Sequence, residues 1–191
     1  MAERLKEIAS IQMGHPFRSR LKMDASGNVH VLQMKDIDEY SRLNTGDLVP
    51  ATLPEVKDIH RIEKGDILFR SRGRANTAAL VEEQLQNVVV AAPLFRIRVD
   101  DDKVLPAYLA WYINQPRAQA YIERHASGTI SRMIHKKALE DMEFDLPTLE
   151  RQKQIIAIAQ LAAREQDLLQ LLAEKRKSYI NGILMELASK R

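Results

Sequence analysis

The sequence predicts an α+β fold: a globular domain with a curved, mostly antiparallel sheet and short helices, followed by one long C-terminal coiled-coil helix. Three observations carry this expectation. Short apolar runs separated by turn residues fill roughly the first hundred positions. Helical spacing takes over after Asp100-Asp101-Asp102. From Thr148 onward neither proline nor glycine occurs until Gly182, while apolar residues recur three and four apart.

The elements follow in order. Gly27-Asn28 precedes Val29-His30-Val31-Leu32-Gln33-Met34, a strand that ends at the polar Lys35-Asp36. Leu48-Val49-Pro50 and Leu53-Pro54 are too broken by proline to be helical. Lys64-Gly65-Asp66 reads as a turn opening into a buried strand, Ile67-Leu68-Phe69-Arg70. Val88-Val89-Val90-Ala91-Ala92 comes next. Leu94-Phe95-Arg96-Ile97-Arg98-Val99 then alternates apolar and basic, the period-two mark of a half-buried strand.

Pro106 suits the first turn of a helix running to Asn114, with Leu109, Tyr112 and Ile113 on one face. Arg117 to His125 is a second helix, ended by Gly128, and Ser131 to Leu139 a third. Glu143 to Pro147 is an exit strand. Thr148 then caps the long helix, with Glu150 in its first turn. Its apolar positions are Ile155, Ile158, Leu161, Ala162, Leu168, Leu169, Leu172, Tyr179, Ile183 and Leu187, with Glu165 and Arg176 on or beside the seam. A helix of about 40 residues spans roughly 60 Å. That is too long to pack wholly on a globule of this size, so it needs a partner in cis or in trans.

The 191 residues suffice for one ordinary domain, or for a domain of about 145 residues plus a long accessory element. A hydrophobic fraction of 45% excludes global disorder. The formal charge of +3 and pI near 9.1 are mildly basic and suit nucleic acid. With no cysteine there is no disulfide and no thiolate metal site. The N-terminal residues lack the apolar stretch of a signal peptide, and no apolar run reaches membrane-spanning length. A soluble, cytoplasmic protein is the expectation.

Enzyme signatures are absent. There is no G-x-x-x-x-G-K-[ST] loop and no G-x-G-x-x-G, so no cofactor is expected. Asp47 with Glu55-Val56-Lys57 mimics a nuclease metal pattern, but it lies in a proline-broken loop. His15, His30, His60, His125 and His135 are too scattered for a metal cluster. No catalytic residue and no metal site are assigned.

Three clusters suit binding instead. Arg70-Ser71-Arg72-Gly73-Arg74-Ala75-Asn76-Thr77 leaves a strand with three arginines, and Asn76 and Thr77 add short polar groups. Arginine reads guanine O6 and N7 with two donors, asparagine reads adenine, and both also hold phosphate. The alternative for this segment is a solvated turn. Ser127-Gly128-Thr129-Ile130-Ser131-Arg132-Met133-Ile134-His135-Lys136-Lys137 puts hydroxyls and backbone N–H groups ahead of basic side chains, which suits phosphate. Its alternative is a capped helix with an exposed basic face. Gly14 to Lys22 is a basic loop carrying Arg18, Arg20 and one aromatic, Phe17, which also suits the core. The expected DNA-contacting set is Arg18, Arg20, Arg70, Arg72, Arg74, Asn76, Thr77, Ser127, Thr129, Ser131, Arg132, Lys136 and Lys137.

Five of these stretches together resemble one family, the DNA specificity subunits of type I restriction–modification systems. Lys64 to Gly73 is similar to that family's G-D-I-L-x-x-R-x-G segment, and Val31 to Ile37 to its upstream strand ending in Asp-Ile. Tyr108 to Asn114 resembles its Y-L-x-Y-x-L-N helix, and Ala126 to Leu139 the stretch that follows. Leu146-Pro147-x-x-Glu150-Arg151-Gln152-x-x-Ile155 resembles P-x-x-E-Q-x-x-I, the entry to a long helix. The order is kept across nearly the whole chain. Arg151 interrupts the family's Glu-Gln, and Ala75 to Ala79 stand where a further glycine is frequent.

The resemblance implies a target-recognition domain over 1–147 and a spacer or dimerisation helix over 148–191. The family usually carries two of each per chain, and this chain has one. A homodimer with antiparallel helices rebuilds the arrangement and requires a bipartite palindromic site. Ile155, Ile158, Leu161, Leu168, Leu172, Tyr179 and Ile183 would line the dimer helix. Methylation and cleavage would belong to modification and restriction subunits that dock on the chain. Two rivals remain, a non-catalytic scaffold acting through the long helix and a nuclease or methyltransferase acting alone.

Overall fold

Turn residues and prolines cut the N-terminal part of the chain into short strands rather than one continuous sheet. A computed structural model describes residues 2–17, 21–73, 75–128 and 131–189, and the chain divides into two units, Met1–Gln152 and Lys153–Arg191. The strands of the first unit are β1 (Ala2–Arg4), β2 (Ala9–Met13), β3 (Val29–Leu32), β4 (Val49–Ala51), β5 (Ile67–Arg70), β6 (Arg72–Gly73), β7 (Ala78–Leu80), β8 (Val88–Val90), β9 (Leu94–Val99), β10 (Arg132–Met133) and β11 (Glu143–Asp145). Its helices are α1 (Leu5–Ile8), α2 (Pro106–Ile113), α3 (Pro116–His125) and α4 (Lys136–Glu140), and α5 (Leu149–Ser189) begins in it. The class is α+β, with a long C-terminal helix as expected.

The largest sheet is antiparallel throughout, in the order β2-β9-β5-β7. A three-stranded sheet, β4-β3-β8, contains one parallel pair, β3 with β8. Two further pairs, β1-β11 and β6-β10, are antiparallel. Leu32, Leu68, Val90 and Leu94 form the centre of one core cluster, and Val29, Val31, Ala51 and Val89 a second. Phe69, Phe95 and Phe144 are fully buried. At about 1.5–3 kcal/mol for each large apolar side chain buried, these residues dominate the stability of the first unit.

Two expectations change. The third helix starts at Lys136 rather than Ser131, because Arg132 and Met133 pair with β6 and His135 is still extended. The half-buried reading of β9 is also incomplete. Arg98 does lie at the margin, but Arg96 is 6% exposed. Acidic side chains from the 63–66 turn before neighbouring β5 make its burial tolerable. Asp66, itself 1% exposed, accepts from Arg98 Nε at 2.7 Å and Nη2 at 2.8 Å, and Glu63 accepts from Nη1 at 3.1 Å. Arg96 Nη1 donates to the carbonyl of Arg61 at 3.0 Å. Desolvation, then the neighbouring Arg98 charge, lowers the pKa of Arg96, whereas the bond to Asp66 raises that of Arg98. Gly65, with φ of +94°, supplies the left-handed residue that turns the chain into β5.

At the root of α5, Thr148 Oγ1 accepts from the backbone of Arg151 at 3.4 Å. Gln152 is fully buried in the first unit. Its Oε1 accepts from Leu105 N at 2.8 Å, and its Nε2 donates to Lys103 O at 2.7 Å and Pro147 O at 2.9 Å. In the second unit, Ile158, Leu161, Leu168, Leu172, Tyr179 and Ile183 are exposed, and Ile155 is half-buried. Among the described residues, no helix is long and apolar enough to cross a membrane.

Candidate nucleic-acid interface

Two of the three basic clusters meet. Leaving the core at Phe69, the chain enters the 71–77 loop and pairs there with the 127–133 segment through β6 and β10, Gly73 opposite Arg132 and Arg72 opposite Met133. Ile134 N donates to Ser71 O at 2.9 Å, which extends the junction by one residue. The 127–133 segment is closed by reciprocal backbone bonds between Ser127 and Met133, at 2.9 and 2.8 Å. Gly128 makes the tight return with φ of +91°, and a Cβ there would sit 2.6 Å from Ser131 O. A larger residue at that position strains the loop on both counts.

The expected contact residues separate into those turned outward and those committed to the fold. Arg72 is exposed, and its Nε donates to Ser131 Oγ at 3.3 Å. Ser127 and Lys137 are exposed. Arg132, also exposed, is ion-paired with Glu123, and half-buried Lys136 lies 3.4 Å from Glu140. Arg70, by contrast, points inward, donating to the carbonyls of Met34 at 3.0 Å and Ile37. Asn76 is 5% exposed and closes its own loop by donating to Arg70 O at 2.9 Å. Gln119 in turn donates to Asn76 O at 3.1 Å. The buried Thr77 hydroxyl has no hydrogen-bond partner among the described residues. Arg70, Asn76 and Thr77 therefore shape the loop from below, and among its described residues Arg72 is the cation it presents. Arg18, Arg20, Arg74 and Thr129 lie outside the described residues.

The described residues of the third cluster, 14–17 and 21–22, belong to a different part of the first unit. Phe17 and Leu21 pack on the Val29–Val31–Ala51 cluster, so the aromatic serves the core. Its ring stands edge-on to His15, 4.9 Å between centroids, and His15 stands edge-on to His60 at 5.3 Å. Desolvation lowers the pKa of His60. Among the described residues, no three of His, Cys, Asp and Glu come together to hold a metal ion.

Sequence reading missed Glu123 and Asn114. Asn114 grips β7 from α2, accepting from Ala78 N at 2.9 Å and donating to Ala78 O at 2.8 Å. Glu123 reaches Arg132 from α3 across the turn that contains Gly128. Neither pairing follows a fixed sequence interval, and the only legible signal was an acidic residue beside a basic cluster.

The family model described as "Type I restriction modification DNA specificity domain" matches residues 2–170. Three solved structures share the fold. The S subunit of a type I restriction-modification system from M. genitalium aligns over 93% of this chain and 42% of its own, at 15% identity and a TM-score of 0.59. The HsdS subunit from Thermoanaerobacter tengcongensis aligns over 89% and 38%, at 20% identity and 0.61. A chain from a structure of a type I R-M system, concerned with complex assembly and conformational transition, aligns over 92% and 41%, at 20% identity and 0.67. The chain thus spans about two fifths of the length of these solved chains. No curated protein sequence matches it.

Proposed function

The chain belongs to the type I restriction modification DNA specificity domain family, and from that premise we propose that it reads a DNA sequence for partner subunits that methylate and cleave. In this reading residues 1–147 are the target-recognition domain and 148–191 the spacer and dimerisation helix. The chain is non-catalytic, needs no cofactor, and works in the cytoplasm on double-stranded DNA. The observation that carries the reading is the β6–β10 junction, which joins two basic segments 59 residues apart and sets exposed Arg72 beside Ser131. Arginine presented from a rigid loop is the usual reader of guanine in the major groove, and exposed cations behind it contact phosphate.

Two copies pair through antiparallel long helices, so that two-fold symmetry demands a bipartite palindrome. The exposed apolar residues of the helix support this pairing. Its length of about 60 Å limits the half-site separation to on the order of 18 base pairs. Modification and restriction subunits dock on the helix and its flanks. A scaffold acting through the helix alone would use the same apolar residues without the basic junction.

Selection of the purified chain against a random duplex library, with sedimentation on the same sample, tests the proposal. Enrichment of a two-part palindrome by a dimer is the expected result. Failure to enrich any sequence, alone or with a modification subunit added, would leave the scaffold as the better reading.

A further inference from the structure

The charges on the long helix specify how two copies meet. Six apolar residues, Ile158, Ala162, Leu169, Leu172, Tyr179 and Ile183, and two charged ones, Glu165 and Arg176, follow one another in steps of four and three along α5. That rhythm is the a/d seam of a left-handed coiled coil held over more than three heptads. All eight are exposed, Ile158 by 68%, Leu172 by 64% and Tyr179 by 70%, so nothing among the described residues covers the seam.

We propose that α5 pairs antiparallel with a second copy in the register that sets Glu165 of each chain against Arg176 of the other. This rests on the homodimer reading above and goes beyond it by fixing the alignment. The two-fold axis falls between Gln170 and Leu171. Leu169 then opposes Leu172 of the second copy, Ala162 opposes Tyr179, and Ile158 opposes Ile183. Every layer pairs an a position with a d position, as antiparallel coiled coils require. The Glu165–Arg176 contact occurs twice in the dimer, and each of the six apolar residues named meets another of them.

Competing alignments lose this match. A slip of one heptad sets Glu165 against Ile183 and Arg176 against Leu172. A slip in the other direction sets Glu165 against Leu169 and Arg176 against Ile158. In either case a charge is pressed on hydrocarbon with no counter-charge. A parallel, in-register pair stacks Glu165 on Glu165 and Arg176 on Arg176. The two polar positions therefore select against the alternatives, as isolated polar residues in coiled-coil seams do.

Charge reversal on the full chain tests the register. E165K and R176E each create two like-charge contacts per homodimer, and each is expected to weaken dimerisation roughly tenfold or more in sedimentation equilibrium. An equimolar mixture of the two variants recovers both ion pairs in a heterodimer and restores wild-type affinity. The chain has no cysteine, so an independent check is clean: I158C mixed with I183C forms a disulfide on oxidation, while either variant alone stays a monomer on non-reducing gels. If the wild-type chain dimerises but neither reversal weakens it, or mixing recovers nothing, the register is overturned and the dimer stands. If the wild-type chain is monomeric at micromolar concentration, the homodimer itself is wrong.

Discussion

Arg72 Nε donates to Ser131 Oγ across 3.3 Å, although 59 residues separate the two in sequence. The bond joins the tips of two loops already paired through backbone, so it orients an arginine whose base is fixed. Both side chains stay accessible, and the bond is long enough to exchange for a base edge. Arg72→Ala should therefore relax discrimination at one base position, by on the order of 1–3 kcal/mol. Ser131→Ala should act at the same position but less strongly, because it removes the orientation and leaves the reader. Dissociation constants for matched and singly mismatched duplexes, at one salt concentration, check both. Equal weakening on every duplex would take Arg72 off the list of readers.

Phosphate contacts have a different signature. Lys137 is exposed, Lys136 is shared with Glu140 at 3.4 Å, and Arg132 is paired with Glu123. Lys137→Ala should weaken binding to all duplexes alike and reduce the salt slope by about one, since each phosphate neutralised contributes about 0.9 to it. Lys136→Ala should act in the same direction. Glu123→Gln should do the opposite, because it frees the Arg132 guanidinium for phosphate. Its binding should tighten at low salt and its slope steepen. A slope unchanged by all three substitutions would place this surface away from DNA.

The strands β5 and β9, the helices α2 and α3, and the 41-residue helix α5 were legible because each is a local pattern: a turn opening into an apolar run, alternation, a proline at a first turn, a glycine after the last, or a run without breakers. The split into four sheets was not legible, since strand pairing depends on partners far apart in sequence. β2 is the sharpest case, a short alternating run at Ala9–Met13 that becomes an edge of the largest sheet by pairing with β9, some ninety residues on. At the candidate site, composition marked two basic segments but not that they are neighbours in space. Nor did it separate Arg72 from Arg70, two residues away. Regular alternation would put both on one face; the strand breaks at Ser71, between β5 and β6, so that Arg70 turns under the loop to the carbonyls of Met34 and Ile37, and Arg72 turns out.

The arginine pair on β9 makes Asp66 a structural residue. Its carboxylate, 1% exposed, receives two bonds from Arg98 and one from the backbone of Glu63 at 2.8 Å. Arg96, buried beside them, depends on the same negative charge. Asp66→Asn keeps the shape and removes the charge, which leaves marginal Arg98 with Glu63, and buried Arg96 with Glu63 and Asp100, to offset their charges. A loss of about 2–4 kcal/mol is expected from the cost of breaking a buried pair. Denaturant titration with an unchanged m-value should record it. A midpoint equal to that of the wild type would show the network to be dispensable.

Gln152 closes the first unit where the long helix begins, and its three bonds reach backbone on both sides of it: Leu105 N, Lys103 O and Pro147 O. Shortening the side chain removes all three bonds at once, so Gln152→Ala should cost about 2–4 kcal/mol, from the lost hydrogen bonds and a cavity. Gln152→Glu separates the hydrogen bonds from the packing. The introduced carboxyl has the right volume and can still accept from Leu105. Ionised, however, it faces two carbonyl oxygens and cannot donate to either. Burial and those carbonyls favour its protonated form, so its pKa in the folded chain lies above the unfolded value. The sign follows: relative to the wild type, this variant is best tolerated below the unfolded glutamate pKa of about 4.3 and loses stability as pH rises through the folded value. Paired melting curves of variant and wild type across that range decide the matter. A difference in Tm that does not grow with pH would mean that Gln152 acts through its volume and not through its amide.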